Sequence, residues 1–139
     1  GEDVDIYQWE PAERFDLIVA SLYQMPVDPY EEPTGHRPLD YWGRNLIDHF
    51  IRLLPRVLSD DGVAYLMQLS IVGQRETTAL LDRYGFRATV VDFTFFPFGD
   101  VFRQNSSQIA RVEGSSDAYH LRFADEDVMV AYLLEVTRA

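Results

Sequence analysis

An α/β fold built on a mainly parallel sheet is what this sequence predicts, on three observations. Short apolar runs without polar alternation lie at 15–22 and 63–69, the habit of strands covered on both faces. Between and after them, apolar residues recur at three- and four-residue steps, the mark of helices with one buried face. The resulting β–α–β–α–β order argues for parallel strands with helices packed on the sheet.

The first strand is placed at 16–21. From 24 to 41 the chain holds Pro26, Pro29, Pro33, Gly35 and Pro38 and reads as a long loop; such loops in compact domains are often lids or binding segments. A helix follows, with Leu46, Ile47, Phe50, Ile51, Leu54 and Leu58 on one side and Arg44, Asp48 and Arg52 on the other. Pro55 is expected to kink or divide it near its end, and the Asp60-Asp61-Gly62 turn to stop it. A second strand covers 63–69 and a second helix 73–84, with Gly85 as its C-cap. Residues 86–96 are rich in Val, Thr and Phe and predict a third strand, its Phe93 and Phe95 alternating as core residues do. Residues 97–118 read as loop because of Gly99, Gly114 and two serine pairs. A last strand candidate at 128–136, where a helix is the alternative, completes the order, and 119–123 is a candidate for a further short strand. The absence of a predicted helix before that last strand suggests that it returns antiparallel.

Composition narrows the functional classes. Apolar residues make up 47 % and charged residues 25 % of the 139 residues, the balance of one soluble globular domain. No apolar run reaches the roughly 18 residues of a membrane span. The opening residues lack a signal-peptide pattern, so a cytoplasmic location is expected. With no cysteine there is neither a disulfide nor a thiolate metal site. His36, His49 and His120 are too scattered for a metal motif, so no metal is assigned. The net charge of −11 repels a phosphate backbone, and nucleic acid is not an expected partner. Every basic side chain is an arginine, which excludes Schiff-base and P-loop lysines. The absence of a Gly-x-Ser-x-Gly elbow argues against a hydrolase.

Asp5 stands eleven positions before Asp16 of the Phe15-Asp16-Leu17-Ile18-Val19 run, and Ser21-Leu22-Tyr23-Gln24 follows that run. Gly43-Arg44-Asn45-Leu46 leads into Leu54-Pro55-Arg56-Val57-Leu58 and the Asp60-Asp61-Gly62 turn. In this order the motifs resemble the second half of the class I S-adenosylmethionine-dependent methyltransferases, within the branch of the HemK-like protein-glutamine methyltransferases and related small-domain enzymes. Asp5 has the spacing of that branch's acidic residue, Ser21-Leu22-Tyr23-Gln24 stands where the branch carries Asn-Pro-Pro-Tyr, and the last stretch is similar to its next helix and turn. The likeness covers roughly residues 1–95, and it implies a last strand that is antiparallel and inserted between its neighbours.

The resemblance further implies S-adenosylmethionine as cofactor, with Asp5, Ile6 and Ser21 on the cofactor side. It implies a catalytic strand tip of Ser21, Tyr23 and Gln24, and an acceptor that is a small molecule or a protein side chain. Tyr30, His36, Tyr41 and Trp42, from the proline-rich loop, are the substrate-binding candidates; His36 is a possible general base. Two departures matter. No Gly-x-Gly turn occurs anywhere, so the close backbone approach to the cofactor cannot be built from this sequence. Leu22 and Tyr23 replace the prolines whose fixed φ presents a carbonyl to an amide or amine, which weakens the case for methylation of those groups. The chain is therefore expected to be the C-terminal part of a methyltransferase catalytic domain, inactive by itself, and to self-associate or meet the missing N-terminal half along an uncovered sheet edge. The competing reading is a non-catalytic binding or structural module with the same fold.

Overall fold

The computed structural model describes residues 5–28 and 39–139. Its elements, in chain order, are β1 (Phe15–Ala20), α1 (Asn45–Val57), β2 (Leu58–Leu69), α2 (Gln74–Arg83), β3 (Phe86–Pro97), α3 (Asp100–Gln104), α4 (Ser106–Ser115), β4 (Leu121–Phe123) and β5 (Glu126–Arg138). The protein is a mixed α/β fold. One sheet runs β1-β2-β5-β3, with β4 attached to β5. β1 and β2 are parallel, while β5 lies antiparallel between β2 and β3, as a methyltransferase-like half-domain requires. Among the described residues, no helix is long and apolar enough to cross a membrane.

The core forms where α1 and α2 pack on one face of the sheet. Ile47, Phe50, Ile51 and Leu54 of α1 and Leu81 of α2 meet Ala64 and Leu66 of β2 and Leu134 and Val136 of β5. Strand periodicity explains the selection: alternate residues of β2 point into this layer, and the intervening Val63, Tyr65 and Met67 do not. α1 runs through Pro55 into its last turn, where a proline near the helix end disturbs little. Arg138 closes that end by donating to the carbonyls of Leu58 at 2.5 Å and Pro55 at 3.3 Å. Gly85, at φ +85°, ends α2 in the left-handed region, as a C-capping glycine should.

Four expectations are corrected. β1 is not covered on both faces: it is the outer strand of the described sheet, with Phe15, Leu17 and Val19 exposed to 42 %, 60 % and 72 %. Both helices that follow it pack on the opposite face; on this face Trp9 stacks on Phe15 with ring centroids 5.7 Å apart. Asp60-Asp61-Gly62 does not separate α1 from β2. Phe15 pairs with Leu58 and Leu17 with Val63, so the acidic turn is an excursion within a strand that has already begun. Residues 97–118 are not a plain loop, since α3 and α4 lie there. Gly99 precedes α3 and Gly114 sits in the final turn of α4, while Ile109 and Val112, three apart, are buried. Finally, Phe93, Phe95 and Phe96 are about half exposed, and only Phe98 of that aromatic run is buried, because β3 is the sheet's other outer strand.

Candidate active site

In open α/β sheets the ligand crevice lies beyond the carboxyl ends of the parallel strands. Here that end is formed by residues 21–28 after β1 and 70–73 after β2. Gln24 joins the two. Its side-chain oxygen accepts the N–H of Leu69 at 2.7 Å, and its nitrogen donates to the carbonyls of Met67 at 2.6 Å and Leu22 at 3.2 Å. At 2 % exposure the amide is engaged with backbone at both ends. This geometry gives Gln24 a positioning place, holding the strand tip, rather than the contact with reacting atoms that the sequence suggested. Ser21 is exposed beside it, as is Tyr23 at 44 %.

The segment after the tip is bound tightly at its base. Val27 donates its N–H to the carbonyl of Asp40 at 2.8 Å, so the proline-rich segment leaves and returns at one point. Asp28, nearly buried, pairs with Arg111 of α4 at 3.1 Å. Tyr30 and His36 lie outside the described residues. Asp40 then secures the start of α1: its carboxylate accepts the N–H groups of Arg44 at 3.0 Å and Asn45 at 3.1 Å. These are donors that a helix N-terminus leaves without intrahelical partners. Burial raises the Asp40 pKa; the bonds from Asn45, Arg44 and Gly43 oppose that rise, and the nearby Asp48 adds to it.

Gly43 and Arg44 lock α1 onto β2. Gly43 has φ +73°, and a Cβ there would meet Pro26 at 2.8 Å and Val72 at 2.9 Å, so glycine is required for both conformation and space. Arg44 is buried; it donates to the Gly73 carbonyl and to Asp48 at 2.9 and 3.2 Å. Its charge is spent on joining the helices. Tyr41 and Trp42 pack edge to face at 4.8 Å, and both are exposed. The Tyr41 carbonyl accepts the buried Gln108 amide at 2.8 Å. Trp42 lines a groove of about 490 Å3 between α1 and α2, together with Gly73, Glu76, Arg52 and Arg83.

The segment before β1 is also fixed. Asp5 is exposed and turns the chain, accepting the N–H of Tyr7 on its side chain at 3.0 Å and that of Gln8 on its carbonyl at 2.9 Å. Ile6 packs against the core. His49 Nε2 lies 3.0 Å from the Ile6 carbonyl, and its ring lies 4.6 Å from that of Tyr7; His49 thus ties this segment to α1. The Tyr7 pKa is raised, first by burial and then by the carboxylates of Asp40 and Asp5. Asp5, Tyr7 and Asp40 therefore share one neighbourhood, next to the start of α1.

Beyond β2, Ser70 accepts the N–H of Val130 on its hydroxyl at 2.9 Å, and its carbonyl accepts the N–H of Tyr119 at 2.7 Å. Tyr119 and Tyr132 join hydroxyl to hydroxyl. His120 stands between Glu113 at 2.7 Å and Asp127 at 3.3 Å. Asp127 also lies 3.7 Å from the Arg122 guanidinium. Among the described residues, no group of three or more His, Cys, Asp or Glu side chains is placed to hold a metal ion. Asp40 and Ser70 escaped the sequence reading. Asp40, a short acidic residue just ahead of a helix start, carried a recognisable capping signal; Ser70 carried none.

The chain is 33 % identical over 97 residues to a protein of Methanocaldococcus jannaschii described as "Putative protein N5-glutamine methyltransferase". The match covers 67 % of this chain and 49 % of that relative, so the chain spans about half the length of the curated protein it matches. No protein-family profile matches the chain, and no solved structure matches it. The similarity is a distant and partial relationship to a methyltransferase.

Proposed function

We propose that this chain is the acceptor-side half of a cytoplasmic S-adenosylmethionine-dependent methyltransferase and is inactive by itself. The observation that carries the reading is the antiparallel β5 held between β2 and β3, with the β1 tip beside the end of β2. The distant relationship supports the reaction class. The chain's residues fit one side of the cofactor only. The exposed carboxylate of Asp5 and the apolar Ile6 suit an adenine amino group and ring, and Ser21 stands at the strand tip. No backbone cradle for the methionine end exists in this sequence.

S-adenosylmethionine, when bound, would supply an electrophilic methyl group for transfer to a nucleophilic atom of the acceptor. The protein's task is alignment, which supplies much of the rate in such displacements. Ser21 can accept one hydrogen bond from the acceptor. Tyr23 flanks it, and Gln24 holds both in place from below. Tyr41 and Trp42 stand on the acceptor side, and Tyr30 and His36, outside the described residues, are assigned to the acceptor by the resemblance alone. The acceptor is a small molecule or a protein side chain. The exposed Phe15, Leu17 and Val19 and the free edge of β1 take the N-terminal half. The full engagement of Gln24 with backbone is the one observation favouring the alternative, a binding module without catalysis.

Asp5→Ala in the protein translated from the whole reading frame tests the cofactor side. Weaker binding of S-adenosylhomocysteine is expected, with the fold intact by circular dichroism; an unchanged dissociation constant rejects the assigned role.

A further inference from the structure

The outer edge of β3 has no partner strand among the described residues, although its inner edge pairs with β5 along its whole length. Sheet edges are usually kept apart by shortness, charged side chains, proline or bulges. This edge is 12 residues long with Pro97 only at its last position; its protections are an irregularity beside Val91 and the charges of Arg87 and Asp92, the Asp92 carboxylate accepting the Phe93 N–H at 2.8 Å. Val90, Val91, Phe93, Phe95 and Phe96 on it are 47 % to 57 % exposed.

Its one irregularity is informative. Val90 pairs with Leu134 and Asp92 with Leu133, so Val91 is an inserted residue that resets the alternation. Arg87, Thr89 and Asp92 oppose Thr137, Glu135 and Leu133, and so stand at successive steps on one face. Phe86, Ala88, Val90 and Phe93 stand on the other.

We propose that a second copy of this chain pairs antiparallel with β3 across a two-fold axis at Thr89. In that register Arg87 of each copy opposes Asp92 of the other, and the two threonines meet at the axis. On the opposite face Ala88 meets Val90. Charge selects this register. An axis at Asp92 would oppose two carboxylates, and one at Arg87 two guanidinium groups; like charges directly opposite destabilise a strand pair, while unlike charges and threonine pairs stabilise it. The interface is isologous and closes at two copies, leaving no further edge of the same kind. A strand pair of this length buries less than the roughly 1,200 Å2 of a standard stable interface, so the dimer is weak. This pairing is independent of the methyl-transfer reading and lies on the sheet edge opposite β1.

Sedimentation velocity over a concentration series tests it. The wild-type chain is expected to dimerise. Asp92→Arg, which sets arginine against Arg87, is expected to weaken the dimer by roughly tenfold or more, as is Arg87→Asp alone. The double exchange Arg87→Asp, Asp92→Arg restores it, and Val19→Lys on β1 leaves it unchanged. A wild type that stays monomeric, a dimer indifferent to Asp92→Arg, a double exchange that fails to restore pairing, or a dimer dissolved by Val19→Lys overturns the proposal.

Discussion

The side chain of Gln24 pairs with the backbone of β2 on either side of Gln68, accepting from the Leu69 N–H at 2.7 Å and donating to the Met67 carbonyl at 2.6 Å. β1 stops at Ala20, opposite Leu66, and the glutamine amide takes over the ladder positions that the strand has left. Gln24→Ala leaves a buried donor and a buried acceptor without partners, each costing about 1–3 kcal/mol. The variant should lose roughly 2–4 kcal/mol in urea unfolding. A wild-type unfolding midpoint would show that the strand tip is held by something else.

Asp40 makes stability depend on pH with a definite sign. Burial lifts its folded pKa above the ordinary 3.8 despite the bonds from Asn45, Arg44 and Gly43. A carboxyl group shifted this way binds its proton more tightly in the folded state. The stabilisation is complete below the unfolded pKa and is lost as pH rises through the folded one. Wild type should therefore lose stability relative to Asp40→Asn as pH climbs from 3.8. Urea midpoints of both proteins across the acid range measure it, and parallel profiles would contradict the assignment.

Tyr119 titrates late. Burial, followed by its bond to Tyr132, pushes its pKa from 10.0 up to about 12. In the folded protein the phenolate absorbance of one tyrosine should appear only near that value, and Tyr119→Phe should remove this step. By the same linkage wild type is destabilised by base as pH rises from 10.0 through about 12, and Tyr119→Phe less so. A titration curve unaltered by the substitution would mean that Tyr119 is not held as described.

The order of elements along the chain was readable because apolar runs and helical spacing are local properties, and the antiparallel return of β5 followed from that order; its place between β2 and β3 came only from the family resemblance. The covering of β1 was not readable. A run such as Leu17-Ile18-Val19 shows that a strand favours burial, not which element buries it, and the helices after it reach one face only. α3 and α4 were hidden because Gly99, Gly114 and the serine pairs are turn formers, and helices this short carry too few apolar repeats to outweigh them. The role of Gln24 was hidden for a different reason: its partners are backbone groups of a strand that is distant in sequence. Asp5, Ile6, Ser21, Tyr23, Tyr41 and Trp42 could be placed in space; Tyr30 and His36 fall outside the described residues.

Calorimetry with S-adenosylhomocysteine tests the central claim most directly, run on this chain and on the protein translated from its whole reading frame. The account predicts no heat from the chain and saturable, roughly micromolar binding by the whole protein. A folded whole protein that gives no heat would contradict it.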